Sequence, residues 1–298
     1  MTRIESSVCC ALIVGLLCAF ATGQNPHDRE FWRSIVKNRY VAPESESADR
    51  LNAELSAMLG LADPELRDDL AYSILAVWIY RGEFSPPVLL RLTDEWDANL
   101  KIGIGNTGDD SVLKRSFSAL CLASVAKREL KAPFLGVERY HQLVADAVSY
   151  LQSERDLRGY DARLHWIHAT AHTADLLGAL AQDPRLTKEE GWKICEAIDG
   201  RLATATQVYT QGEQDRLAAA MVPIIARTDF DSSRFQLWLT HLTDEDLDVW
   251  NATTPEALAR YQNHSYLLQA LTVRISLEAE SDRMREYRQQ VLKVLAQR

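Results

Sequence analysis

The stretch Leu113-Lys114-Arg115-Ser116-Phe117-Ser118-Ala119-Leu120-Cys121-Leu122-Ala123-Ser124-Val125 places Leu113, Phe117, Leu120, Ser124 and Val125 at intervals of three and four residues. Such spacing puts them on one stripe of an α-helix, whereas a half-buried strand would alternate every second residue. The same period runs through Leu66, Leu70, Ile74, Val77 and Trp78, and again through Leu143, Ala147, Val148 and Leu151. No convincing period-two run interrupts it, so the expected fold class is all-α.

Helix starts are marked by a capping residue followed by proline at Asp63-Pro64, Ser85-Pro86, Asp183-Pro184 and Thr254-Pro255. Proline suits the first helical position because no intrahelical partner awaits its missing N–H. Thr187 and Glu190 have capping-box spacing, and Asp109-Asp110 precedes another start. The pattern predicts helices over 28–38, 46–59, 64–81, 86–102, 109–131, 137–155, 164–182, 188–206, 213–228, 233–249, 255–278 and 281–297. Connections are short, which makes neighbours antiparallel. The pairs 64–102, 109–155 and 164–206 recur at a spacing near that of HEAT-like repeats, so stacked antiparallel helix pairs in a single curved domain are expected. A compact helical bundle is the alternative.

The N-terminus has the parts of a signal peptide, residues 1–21, ahead of a domain over 22–298. Arg3 supplies the charge, Val8 to Ala21 is an apolar run of 14 positions, and Ala19-Phe20-Ala21 offers a small-x-small cleavage site. A spanning helix needs about 20 apolar residues. The expectation is therefore a periplasmic or secreted protein that is not inserted in a membrane after cleavage. Only Cys121 and Cys195 remain in the mature chain, and two buried thiols account for them more simply than a disulfide framework does.

The net charge is −9, and loss of Arg3 and Glu5 with the leader leaves it there. Such a surface repels phosphate backbones and excludes nucleic acid and polybasic lipid attachment as functions. Gly103-Ile104-Gly105-Asn106-Thr107-Gly108 spells a dinucleotide fingerprint, but a charged, helix-periodic segment precedes it and Asp109-Asp110 would face the pyrophosphate. It is expected to be a plain loop. Asn251-Ala252-Thr253 and Asn263-His264-Ser265 are sequons that chance explains equally well.

One predicted helix, Leu164 to Ala181, carries three of the seven histidines and Asp175 as its one formal charge. At 100° per residue, His165, His168, His172 and Asp175 fall within about 80° of each other. With no Lys, Arg or Glu to solvate it, this helix should be covered on both sides, and its imidazoles need partners. His168 and His172, one turn apart, are spaced to reach one cation such as zinc, with Asp175 as a third ligand or an orienting group. Core histidines bonded to carboxylates, carbonyls or water are the plainer account.

Arg158-Gly159-Tyr160-Asp161, the run Trp166-Ile167-His168-Ala169 with Ala171-His172 and Ala174-Asp175-Leu176-Leu177, and Gly212 to Ala218 resemble a family of bacterial helical proteins catalogued only as a domain of unknown function. That resemblance implies an all-helical fold, a bacterial source and an exported location, and it implies no activity. In a stack of helix pairs, the start of 213–228 lies near that of 164–182, which brings Glu213 or Asp215 toward His168. Two functions follow. The favoured one is an interaction or structural protein offering a concave surface to a peptide or protein partner. The alternative is a metal-dependent hydrolase in which His168, His172 and Asp175 hold the ion and Glu213 or Asp175 is the general base.

Overall fold

A computed structural model of the chain describes residues 27–246, 249–251, 254–278 and 281–298. The expected signal peptide and two residues of the first sequon lie outside them. Among the described residues the fold is all-α apart from one small hairpin. The elements are α1 Arg29–Lys37, α2 Ala48–Met58, a π-helix Glu65–Tyr72 that runs into α3 Ser73–Arg81, α4 Pro86–Asn99, α5 Ser111–Lys131 and α6 Val137–Ser153. The strands β1 Tyr160–Asp161 and β2 His165–Trp166 then precede α7 Ala169–Leu180. After these come α8 Lys188–Ala203, α9 Glu213–Ile225, α10 Ser232–Asp246, a 3-10 turn Val249–Asn251, α11 Pro255–Leu277 and α12 Asp282–Leu295.

Caps form as their residues dictate at Thr187 and Thr254, whereas Asp183-Pro184 lies in the turn between α7 and α8 and opens no helix. The hydroxyl of Thr187 accepts the N–H of Glu190 while the Glu190 carboxylate accepts that of Thr187, and the Thr254 hydroxyl accepts the N–H of Ala257. Packing follows an alternating scheme in which α3, α5, α7, α9 and α11 lie each against the next. Helix α4 packs on α5, α6 on α7 and α8, and α8 on α9 and α11. The row closes tightly at α7 and α9, where a Cβ on Gly178 would stand 3.3 Å from the Ala220 Cα. Every residue of α7 is buried except Asp175 and Gly178, the two-sided cover its composition calls for.

The segment 103–108 is an exposed turn between α4 and α5, with no strand before it. Cys121 and Cys195 are free and buried. Asn263 is fully buried; its side chain accepts the Tyr209 N–H and donates to the Gln207 carbonyl, so the second sequon is a structural residue. Among the described residues, no helix is long and apolar enough to cross a membrane.

Two boundaries differ from those the periodicity predicts. Helix α7 begins at Ala169, and residues 160–168 form the hairpin and its return instead of a first helical turn. The cause is local and distant at once. Asp161 Oδ1 accepts the N–H of both Arg163 and Leu164 at 2.8 Å, closing an Asx-type turn that competes with the helix. Tyr160 pairs with Trp166 across the ladder, and the Ile167 N–H extends it to the Gly159 carbonyl at 2.9 Å. Buried Arg67 then binds the carbonyls of Leu164 and Trp166 from the π-helix, as well as that of Leu61 at 2.8 Å. His165 therefore belongs to no helix face: it is exposed on β2 and stacks on Tyr160 at 5.6 Å.

The second difference is the π-helix itself, within the predicted 64–81. Its wider turn is seen where the Ser73 N–H reaches the carbonyl of Asp68, five residues back. Arg67 meets the hairpin from it, while Asp68 and Tyr72 border a cavity.

Candidate functional site

That cavity, of about 490 Å³, opens where the π-helix, α5, the hairpin, α7 and the start of α9 converge. Its polar lining is Asp68 and Tyr72 from the π-helix, Ser124 and Lys127 from α5, Trp166, His168, His172 and Asp175 from the hairpin and α7, and Gln211 and Arg216 at α9. Polar groups converging in a concavity of this size are the expected form of a small-molecule site.

His172 is 5% exposed, and its hydrogen bonds fix its tautomer. The Ser116 hydroxyl donates its single proton to the Ile167 carbonyl, so it can only accept from the imidazole 2.8 Å away. Nδ1 therefore carries the proton and Nε2 carries a lone pair, for which the described residues provide no hydrogen-bond partner. Burial, then the positive field of His168 and Arg216, holds the pKa of His172 well below the ordinary 6.5, against an opposing contribution from Ser116. The ring is neutral at pH 7. Phe117 sets its edge against it at 5.1 Å.

His168 caps α7 in a left-handed backbone conformation, φ 52°. A non-glycine residue holds that conformation at a cost of about 1 kcal/mol, and here the flanking bonds enforce it. Its N–H bonds the Arg158 carbonyl at 3.2 Å and its own carbonyl accepts the His172 N–H at 2.9 Å. The ring stacks on Trp166 at 4.9 Å and lies 5.7 Å from the ring of His172. Its Nε2 is sealed from solvent 3.5 Å from Glu213 Oε1, an ion-pair distance that is long for a hydrogen bond.

Glu213 is 1% exposed and sits behind His168, outside the cavity lining. Burial raises its pKa, but the His168 side chain and the backbone amides of Glu213 and Gln211 outweigh that and leave it lowered. Gly159 makes room for this carboxylate, since a Cβ there would stand 2.7 Å from Glu213 Oε1 and 2.5 Å from Gln211 Oε1. Asp175 lines the cavity in an ion pair with Arg216. Burial nevertheless keeps its pKa raised. Asp215 turns away and pairs with Arg274.

Of the residues singled out by sequence, His168, His172 and Asp175 thus share one cavity, Glu213 backs His168, and His165 stands apart. Asp175 is engaged by a guanidinium, and among the described residues no group of three or more His, Cys, Asp or Glu side chains is placed to hold a metal ion. Sequence reading missed Asp68, Tyr72, Ser116 and Lys127. Burial raises the pKa of Asp68 and pushes the Tyr72 phenol up to about 12. Ser116 and Ser118, polar residues at the edge of the uncharged run 116–126 of α5, were the available hint of a buried hydrogen-bonding role.

A family model described as Protein of unknown function (DUF2785) matches residues 100–273. The match takes in α5 through most of α11 and every histidine of the site, and leaves Asp68 and Tyr72 before it. No curated protein and no solved structure matches the chain.

Proposed function

The chain belongs to the DUF2785 family of proteins of unknown function, and we propose that it is an acid–base enzyme acting on a small polar molecule in the cavity of His168 and His172. What carries the proposal is the bare Nε2 of a neutral, buried imidazole bordering that cavity. A base of this kind takes a proton from water as the oxygen attacks a substrate. His168, oriented by Glu213 and by stacking on Trp166, is the second proton-transfer group. Glu213 is a positioning residue in this scheme. The leader-like N-terminus supports an exported enzyme, working in the periplasm or outside the cell.

Diethyl pyrocarbonate, which acylates neutral imidazole nitrogen, tests the proposal. In tag-free protein mapped by mass spectrometry, His172 should be modified as fast at pH 6 as at pH 7.5, while free N-acetylhistidine treated alongside slows as it protonates near pH 6.5. An inert His172, or one that slows in parallel with the free imidazole, overturns the proposal. The remaining role would then be that of an interaction protein, with Tyr80 and Trp166, 67% and 40% exposed, as aromatic anchors for a peptide or protein partner.

A metal-dependent hydrolase is the second reading, favoured by the bare Nε2 of His172 and by His168 one turn away on the same cavity. Zinc held by His168 and His172 would lower the pKa of a bound water, and Asp175 would have to leave Arg216 to join them. Elemental analysis of protein purified without chelator decides between the two: equimolar zinc lost in His172→Gln supports the metal, and less than a tenth of an equivalent, on the order expected for adventitious metal, excludes it.

A further inference from the structure

We infer that the cavity receives a small zwitterion, an amino acid or short peptide with a free ammonium and a free carboxylate. The inference deepens the acid–base reading by naming its substrate class. It starts from two opposite charges that border the same space and do not meet. The Asp68 carboxylate, half-buried on the π-helix, has no hydrogen bond or ion pair from its side chain among the described residues, and neither has the ammonium of Lys127 on α5. An unpaired acid and an unpaired base in one concavity usually find each other when they can. Here no ion pair joins them, although both line the cavity.

A ligand with a charge of each sign at its two ends satisfies both. Its ammonium takes Asp68, the one carboxylate of the lining that Arg216 does not engage. Its carboxylate takes Lys127 and the Arg216 donors left over, since Arg216 reaches Asp175 through Nη1. A plain anion would share the cavity with an unpaired Asp68 carboxylate, and a plain amine would share it with Lys127 and Arg216. Leu120, Ala123, Tyr72 and the Trp166 ring supply apolar wall for the body of the molecule. His172 Nε2 borders the same cavity, so the middle of a short peptide lies within its surroundings.

Calorimetric titration of glycyl-leucine into the full chain tests this, run in wild-type protein and in His172→Gln so that binding is read without turnover. Saturable binding is expected in both. Asp68→Asn and Lys127→Met, each checked for native helicity, should each weaken it by about tenfold or more, and so should N-acetylation or C-terminal amidation of the peptide, about the cost of one partly desolvated charge contact. Absence of binding overturns the inference. An acetylated peptide that binds as well as the free one makes the site an anion site and overturns it, and an amide that binds as well makes it an amine site and does the same. Should a variant unfold, the two modified peptides decide alone. Failure of the acid–base reading would appear as an unreactive His172 with glycyl-leucine still bound, an outcome distinct from these.

Discussion

Glu154→Leu is expected to lower the free energy of unfolding by about 3–5 kcal/mol, the range for breaking one side of a buried ion pair. Arg115 and Glu154 are 0% and 2% exposed. Their contact is bidentate, with Nε to Oε2 at 2.7 Å and Nη2 to Oε1 at 3.2 Å. Glu154 Oε1 also accepts the N–H groups of Arg155 and Asp156 at 2.9 Å, while Arg115 Nη1 donates to the carbonyls of Ile102 and Gly103 and to the Ser111 hydroxyl. One pair thus fixes the end of α6, the end of α4 and the start of α5. Leucine would leave a guanidinium buried without its anion and two amides without an acceptor. The double variant Arg115→Leu, Glu154→Leu should regain part of the loss, because no unpaired guanidinium stays buried, although the Arg155 and Asp156 amides and the Ile102 and Gly103 carbonyls still lack those partners. Urea unfolding of the wild type and the two variants measures this, and a single-variant loss under about 1 kcal/mol would contradict it.

The second large effect concerns Arg67. Arg67→Ala is expected to cost about 3–4 kcal/mol, since it strips a donor from the carbonyls of Leu61, Leu164 and Trp166 and empties the space of a fully buried side chain. Part of the loss is returned because burial already disfavours the Arg67 charge and lowers its pKa. The more telling signature is local. Hydrogen exchange should quicken at Ile167 and His168, whose N–H groups bond Gly159 and Arg158 in the hairpin, before it quickens at the centres of α5 or α8. Uniform loss of protection would mean that Arg67 holds the whole fold and not the hairpin.

Arg67 also explains what the sequence could and could not convey. Helix α5 and helix α8 are legible because their causes are local: a three-four stripe, a capping box, a carboxylate at the start. The hairpin at 160–168 is not, since Leu164, Ile167, His168, Ala171 and His172 keep helical spacing right through it. What breaks the helix is an Asx turn at Asp161 together with an arginine 97 residues away in the chain from Leu164. No periodicity carries that information. The near-absence of charge on α7, with Asp175 alone, did foretell a helix buried on both sides, and hence imidazoles in need of partners. It did not name Ser116, which sets the tautomer, nor Asp68 and Lys127, which enter the cavity from elements that the chain order keeps apart.

Nitrogen-15 NMR of histidine-labelled protein reads the tautomer and titration of each imidazole. His172 should show a protonated Nδ1 and an unprotonated Nε2 at pH 7, and should stay in that form as the pH falls through 6.5, the ordinary value for an imidazole. A His172 carrying its proton on Nε2, or taking up a second proton near pH 6.5, would contradict the picture of a bare nitrogen held ready at the cavity wall.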